Sequence, residues 1–246
     1  MHRFFIESNL NKDNEYCLDA SISHQIKNVL RMKEGDFFEL FNNSGNLFEA
    51  KILDSSNNLI KCKIISSLNA VNESLKINVF QSIIKISKME LVIEKLTEIG
   101  IFSFTPIITE RVQKKDIDSF SESKLNRLKK ISIEASEQSG KVFIPYINNK
   151  KSIKNLDLTN DKNKNIVFYE SSKGAIKLKK IDQKILENRT ISVFIGPVGG
   201  FSQYEIEHFK RNGCILVNLG NTIFKSDTAS IIGVSLLKYM ITENLN

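Results

Sequence analysis

The sequence predicts an α/β protein that carries a smaller, mainly β domain at its N-terminus. After position 75, strand-like and helix-like segments alternate along the chain, which is typical of α/β domains. Two uninterrupted apolar segments, Ile166–Tyr169 and Ile191–Ile195, indicate parallel strands that are covered on both faces. Before position 70, short alternating segments separated by Asn, Ser and Gly indicate a small β-barrel.

The predicted N-terminal domain covers residues 1–70 and contains short strands with one helix between them. Ser23 is placed to cap this helix. The apolar face of the helix is formed by Ile26, Val29 and Leu30. The polar segment 66–75 is interpreted as a linker. The strands are predicted at Arg3–Glu7, Glu15–Leu18, Asp36–Phe41, Leu47–Leu53 and Leu59–Ile65.

The second domain is predicted to span residues 75–246. Its first helix is expected to end at Gly100, because glycine adopts the left-handed conformation that follows many helices. Residues 148–164 are rich in Lys and Asn and are interpreted as a surface loop. The remaining elements are predicted as strand Lys76–Ile84, a helix from about Ser87, strand Ile101–Thr109, helix Glu122–Gln138 and a last helix over Thr228–Met240.

Composition narrows the class of protein. A net charge of +7 favours a polyanionic partner, since Lys and Arg release counterions when they bind phosphates. Biased genome composition produces the same lysine excess, so charge alone leaves both explanations open. The three cysteines are scattered without a CxxC pair, which argues against a disulfide framework or a zinc site. No apolar segment has the length of a membrane helix and no secretory leader is visible, so we expect a cytoplasmic protein without a metal.

A glycine-containing segment follows the apolar run Ile191–Ile195. It reads GPVGG over 196–200, and Ser202 and Glu205 then form the capping box of a new helix. Glycines at the carboxyl end of a strand let main-chain atoms approach a ligand closely, at the edge where open α/β sheets bind small molecules. The alternative is a tight strand–helix turn without a ligand. The segment is neither a phosphate loop nor a GxGxxG motif.

A second segment of this kind lies over Cys214–Ala229. Its strand ends at Leu219-Gly220, a short loop carries Lys225, and Ser226 or Asp227 is expected to cap the last helix. Alone, this segment is equally compatible with an ordinary strand–helix connection. Because both segments follow strands and precede helices, we expect the two loops to form one pocket.

The two loops belong to a longer series of motifs. GPVGGFSQYE begins at Gly196 and LGNTIFKSDTA begins at Leu219, while the chain opens with HRFF. HQIKNVLRMKEGD begins at His24, and KME, KLTEIG and EASEQSG begin at Lys88, Lys95 and Glu134. In this order the motifs resemble those of the SPOUT-class RNA methyltransferases. Within that class they resemble the RsmE-like enzymes that methylate N3 of a uridine in 16S ribosomal RNA, in which the loops read GPEGG–FS–xx–E and LG–xx–ILRTETA.

The resemblance implies a PUA-like RNA-binding β-barrel over 1–70 and a knotted SPOUT domain with a parallel sheet over 75–246. It also implies a homodimer that acts on 16S rRNA or the small ribosomal subunit, with S-adenosylmethionine bound inside the trefoil knot. The residues expected to bind this cofactor are Ile195, Gly196, Pro197, Gly199, Gly200, Leu219, Gly220, Ile223, Phe224, Lys225 and Thr228.

Several positions depart from the family pattern. Val198 replaces the Glu of GPEGG, and Lys225, Ser226 and Asp227 replace Arg, Thr and Glu. Lys141 replaces the Arg that follows QSG in the family. Because Lys is a point charge, it cannot make the planar paired contacts of Arg. Binding through main-chain atoms would tolerate these changes.

The catalytic base is not identified by the sequence. Arg3 and Arg31 match family positions and are candidates for contact with RNA or with the uracil, although each is equally explained as a solvated or phosphate-facing arginine. Glu170 ends a central strand and is a further pocket candidate. Alternatives are a non-catalytic RNA-binding protein with a degenerate cofactor pocket, a SPOUT methyltransferase that acts on another RNA, or a different α/β enzyme.

Overall fold

The computed structural model describes residues 1–56, 58–69, 75–159, 164–171, 174–181 and 190–243. The chain divides into two compact units. The first contains the described residues before position 73 together with Ser136–Ile144, and the second contains the other described residues. Nothing in the sequence indicated that Ser136–Ile144 would group with the first unit. The predicted linker 66–75 is in part wrong, because a strand continues to Asn69, and residues 70–74 lie outside the described residues.

A five-stranded sheet in the order β1-β3-β4-β5-β2 forms the first unit. β1 pairs in parallel with β3, and the other neighbours are antiparallel. Alternate residues point inward along the strands, so Phe38, Leu40 and Ile52 are fully buried between the strands and the helix. The strands are β1 (Arg3–Phe5), β2 (Glu15–Cys17), β3 (Phe37–Phe41), β4 (Asn46–Asp54) and β5 (Lys61–Asn69).

The helix of the first unit begins earlier than the sequence indicated. Helix α1 (Ala20–His24) starts after Asp19, whose side chain accepts from the N–H of Ile22, and it continues as a π-turn over Gln25–Val29. The assignment of Ser23 as the cap is therefore wrong. Its buried hydroxyl donates to the Leu18 carbonyl and accepts from the N–H of Ile60, which ties the helix to the sheet.

An eight-stranded parallel sheet forms the second unit. The strand order is β11-β13-β10-β12-β6-β7-β8, and β9 also pairs with β7. The prediction of parallel strands is confirmed, since the two apolar runs of the sequence are neighbours. The strands are β6 (Lys76–Ser82), β7 (Ser103–Ile108), β8 (Tyr146–Ile147), β9 (Lys151–Ser152), β10 (Lys164–Phe168), β11 (Ile176–Lys177), β12 (Thr190–Ile195) and β13 (Ile215–Asn218).

Helices cover this sheet. The helix Ile86–Ile99 ends at Gly100, which has a φ of +88, as predicted. The interpretation of 148–164 as a plain surface loop is wrong, because part of this segment joins the sheet and both Ile153 and Leu158 are buried. The helices are α2 (Ile86–Ile99), α3 (Lys114–Ser119), α4 (Glu122–Gln138), α5 (Gln203–Arg211) and α6 (Ser226–Glu243). Within the described part of the chain, no helix combines the length and the apolar composition needed to cross a bilayer.

Candidate functional site

A cavity lies where three neighbouring strands end. β10 lies between β12 and β13 in the sheet, so the residues after these strands meet at one edge. They enclose a cavity of about 300 Å³. Its lining residues are Phe168, Tyr169, Glu170, Ile195, Gly196, Pro197, Val198, Gly199, Gly200, Phe201, Asn218, Leu219, Thr222, Ile223, Phe224, Ser226 and Ala229.

The first wall of the cavity is the turn over 196–200. The N–H of Gly200 donates to the Pro197 carbonyl at 2.9 Å, and Gly200 has a φ of +68, which disfavours every residue with a side chain. A Cβ on Gly196 would lie 3.2 Å from the backbone nitrogen of Phe201. Glycine is therefore needed to keep this turn closed, and at these positions the turn presents only main-chain atoms to the cavity.

Side chains from other elements brace this first wall. Nη1 of Arg111, which follows β7, donates to the Gly199 carbonyl at 2.9 Å. Glu205 is buried and accepts from the N–H of Glu110 at 2.8 Å and from the N–H of Ser202 at 2.9 Å. The Ser202 hydroxyl accepts from the N–H of Glu205, which completes the predicted capping box.

A buried hydroxyl ties the last helix to the first wall. Ser226 is the first residue of α6, and its Oγ donates to the Gly196 carbonyl at 2.5 Å. The same oxygen accepts from Nε2 of Gln81, a fully buried residue of β6, at 2.9 Å. Ser230 donates to Gln81 from one turn further along α6. The sequence suggested that Ser226 caps its own helix. Its hydroxyl instead holds the first wall through the hydrogen bond to Gly196.

Asp227 forms an ion pair with Lys88 of α2, with Oδ2 and Nζ 2.7 Å apart. Burial raises the pKa of Asp227, but hydrogen bonding and charge from Lys88 outweigh it and hold the pKa below its ordinary value. An ionised carboxylate in the first turn of α6 also interacts favourably with the helix dipole. Asp227 therefore contributes to the junction between α2 and α6, although it is not an N-cap.

The second wall is the loop over 219–225. The N–H of Gly220 donates to Oδ1 of Asn218 at 2.9 Å, while Nδ2 of Asn218 donates to the carbonyl of Glu170 at 2.8 Å. Asn218, the last residue of β13, thus joins the second wall to the end of β10. The side chain of Ile223 is 76% exposed.

The structure brings most of the predicted cofactor-binding residues together. Gly220, Lys225 and Thr228 are not among the lining residues, although they lie in the same loop and helix. Sequence reasoning missed Asn218 and the buried Gln81, since a polar residue near a strand end has no distinctive local pattern, and it named Ser226 only as a possible helix cap. The residues that do line the cavity as expected are Ile195, Gly196, Pro197, Gly199, Gly200, Leu219, Ile223 and Phe224.

The two candidate arginines differ in their surroundings. Arg3 donates from Nε and Nη2 to the Glu39 carboxylate at 2.9 and 2.8 Å, and from Nη1 to the carbonyl of Gly140. Its guanidinium therefore holds the first unit together. Arg31 is exposed with a φ of +55, and its side chain has no hydrogen bond or ion pair with any residue that the structure describes. Among the described residues, no cluster of His, Cys, Asp and Glu is able to hold a metal ion.

Comparison with known proteins matches this architecture. The family described as RNA methyltransferase domain matches residues 71–238, and the family described as RNA methyltransferase PUA domain matches residues 18–65. A protein of Buchnera aphidicola named ribosomal RNA small subunit methyltransferase E is 34% identical, over 98% of this chain and 94% of its own length. The Bacillus subtilis protein of the same name is 29% identical, over 97% of this chain and 96% of its own.

Solved structures of related proteins have the same fold. A ribosomal RNA small subunit methyltransferase E from Neisseria gonorrhoeae, bound to S-adenosyl methionine, superposes with a TM-score of 0.87 at 25% identity and covers 98% of both chains. A methyltransferase from Legionella pneumophila in complex with the same cofactor gives a TM-score of 0.84 at 26% identity over 97% of both chains. The parallel sheet, the glycine-lined cavity and the PUA domain together define a SPOUT-class protein. The chain belongs to the RNA methyltransferase family whose relatives are named ribosomal RNA small subunit methyltransferase E.

Proposed function

We propose that this chain transfers a methyl group from S-adenosylmethionine to small-subunit ribosomal RNA. The target that the motif resemblance implies is N3 of a uridine in 16S rRNA. One observation carries the proposal: the two glycine-containing loops form opposite walls of a single cavity at the carboxyl ends of β10, β12 and β13. The relatives named above, two of them crystallised with the methyl donor, support the same conclusion.

The cavity suits a ligand that is held mainly by main-chain atoms. Gly196, Gly199 and Gly200 have no side chains, so a ligand meets their N–H and C=O groups directly. When bound, S-adenosylmethionine supplies an electrophilic methyl group. The task of the protein is then to align the acceptor nitrogen with that group and to exclude other geometries. Removal of the N3 proton is a further requirement, for which no described residue is assigned.

The RNA is expected to contact the chain through basic residues. Within the described part of the chain the Arg31 guanidinium has no partner, which makes Arg31 the better of the two candidates, whereas Arg3 is already bound to Glu39 and to Gly140. Because the target base must leave its stack, phosphate contacts have to offset a cost of a few kcal/mol. We therefore expect log Kd for RNA to rise with log salt concentration, by about 0.7 per neutralised phosphate of a single-stranded target.

A homodimer is part of the proposal. Ile232, Leu236 and Tyr239 are exposed at helical spacing along α6, and the Tyr239 side chain is 62% exposed. An apolar stripe of this kind on a helix is typical of an interface. Replacement of Leu236 by Glu is expected to give a monomer in sedimentation experiments, whereas Tyr204→Glu, at an exposed position of α5, leaves the oligomeric state unchanged. The protein is proposed to act in the cytoplasm without a metal.

The activity is tested in two steps. Calorimetry with S-adenosylmethionine first measures binding to the purified protein. Mass spectrometry of 16S rRNA from cells with and without the gene then follows methylation of uridine. The expected result is micromolar binding and the loss of one methyl group in the deletion strain. Binding without any lost methyl group would contradict the RNA target. RNA binding without cofactor binding would favour a non-catalytic RNA-binding protein.

A further inference from the structure

Glu170 contributes the one formally charged side chain among the described residues that line the cavity. It follows β10, the strand between the two strands whose loops form the walls. Its carboxylate has no hydrogen bond or ion pair with any residue that the structure describes. A carboxylate that lines a cavity and has no partner among the described residues is a group that a ligand can use.

The backbone of Glu170 is held in place, although the residue is exposed and its carboxylate has no partner among the described residues. Its carbonyl accepts from Nδ2 of Asn218 at 2.8 Å, which joins it to the end of β13. A Cβ added to Gly200 would lie 2.8 Å from Oε1 and 3.4 Å from the carboxyl carbon of Glu170. The carboxylate therefore lies directly against the glycine turn of the first wall, in space that any other residue at position 200 would occupy.

We propose that the Glu170 carboxylate accepts hydrogen bonds from the ribose hydroxyls of the methyl donor; this inference rests on the proposed function. Two vicinal hydroxyls offer two O–H donors, and a carboxylate offers two oxygens that accept them side by side. In other α/β proteins an acidic residue that follows a strand binds ribose in this way. The first wall beside the carboxylate is main chain at Gly196, Gly199 and Gly200, so a sugar bound there would lie against peptide groups.

The positive charge of the donor is a less suitable partner for Glu170. The sulfonium loses its charge as the methyl group leaves, so a carboxylate beside it would stabilise the bound donor more than the transition state and would slow the reaction. The ribose keeps the same hydroxyls throughout methyl transfer. A carboxylate bound to these hydroxyls therefore adds affinity without raising the barrier.

The test compares Glu170→Ala and Glu170→Gln with wild type in the full-length protein. Calorimetry measures Kd for S-adenosylmethionine, for S-adenosylhomocysteine, and for the 2′-deoxy and 3′-deoxy analogues of the latter. Glu207→Gln is the matched control, because Glu207 is an exposed carboxylate paired with Arg211 on α5. Because the Glu170 carboxylate has no partner among the residues that the structure describes, both variants are expected to fold, which thermal denaturation verifies.

We expect Glu170→Ala to raise Kd for both natural ligands by the same factor, about tenfold to hundredfold. The deoxy analogues should bind wild type about tenfold more weakly than the parent compound, and this difference should vanish in Glu170→Ala. A loss restricted to S-adenosylmethionine would show that the carboxylate pairs with positive charge, and it would overturn the ribose assignment. Equal affinities for Glu170→Ala and Glu207→Gln would overturn it as well. If wild type binds neither natural ligand, the proposed function fails together with the inference.

Discussion

The two walls of the cavity are built differently, although both follow parallel strands and both precede helices. The first wall is held at two carbonyls by other elements: Arg111 donates to Gly199, and Ser226 donates to Gly196. The second wall is held mainly at its start, where Asn218 accepts from the N–H of Gly220. Ile223, further along the second wall, exposes 76% of its side chain.

The difference suggests separate roles for the two walls: the first contributes to ligand affinity, and the second adjusts when a ligand enters. A wall that is fixed before the ligand arrives loses no conformational freedom on binding, so its contacts contribute fully to affinity. A wall that is held at one end is able to adjust when a ligand enters. We therefore expect substitutions that loosen the first wall to change the unfolding free energy and the Kd for S-adenosylmethionine more than truncations in the second wall do.

The largest effect is expected for Ser226→Ala. The variant leaves the Gly196 carbonyl without the Ser226 donor and removes one of the two acceptors of Gln81 Nε2, both in a buried position, which costs about 2–3 kcal/mol of unfolding free energy. Urea denaturation measures this change. Ser235→Ala is the matched control, since Ser235 is exposed on the same helix and its loss should change the free energy by less than about 0.5 kcal/mol. Equal changes for the two variants would contradict the proposed bracing.

Arg111→Ala is expected to weaken S-adenosylmethionine binding about tenfold, because the Gly199 carbonyl is no longer held in place. Arg111→Lys should recover part of the loss, since lysine keeps one donor but not the planar fork. Arg127→Ala removes an arginine of α4 that pairs with Glu90 and should leave the Kd unchanged. Calorimetry compares the three variants. A similar loss in Arg127→Ala would mean that the effect is general, not local to the first wall.

Asp227→Asn tests the attachment of α6, which follows the second wall. The pKa of Asp227 is lower in the folded chain than in the unfolded chain, so its contribution is complete above about pH 4 and is lost as the pH falls through the folded value. At pH 7 we expect the variant to be destabilised by about 0.5 kcal/mol. Urea denaturation between pH 3 and 7 should show this difference disappear at the acid end. Asp118→Asn, on an exposed side chain, is the matched control.

The smallest effect is expected for Ile223→Ala. Because most of this side chain is in solvent, its truncation should leave the unfolding free energy within about 0.5 kcal/mol and the Kd for S-adenosylmethionine within about threefold of wild type. Denaturation and calorimetry on the same preparation measure both. A loss of affinity larger than that of Arg111→Ala, at unchanged stability, would show that the second wall folds onto the ligand, and the ranking of the two walls would be reversed.

The sequence predicted the cavity because its determinants are local. Glycines after an apolar strand, followed by Ser202 and Glu205, indicate a strand, a tight turn and a capped helix without any knowledge of the rest of the chain. That the runs Ile166–Tyr169 and Ile191–Ile195 contribute to parallel strands follows from their continuous apolar character. The fold class was predicted for the same reason.

The braces of the first wall were not predictable, because they join residues that are distant in the chain. Ser226 and Gly196 are 30 positions apart, and Arg111 and Gly199 are 88 positions apart. Which residues meet depends on the order β10-β12-β6-β7, and hydrophobic periodicity does not determine that order. Arg3 shows the same limit. A motif made it a candidate for contact with RNA, which stays a prediction, but the motif did not reveal that its guanidinium binds Glu39, a residue of the neighbouring strand. The trefoil knot stays a prediction from the family resemblance.

The glycine turn over 196–200 has a consequence for drug resistance. Peptide groups are the same whatever side chains a gene encodes, so a single mutation cannot delete the carbonyl of Gly196 or Gly199. Mutations that reshape the turn meet the positive φ of Gly200 or the backbone beside Gly196, and so they damage the cavity itself. An inhibitor that addresses these groups would leave a pathogen few substitutions by which to escape.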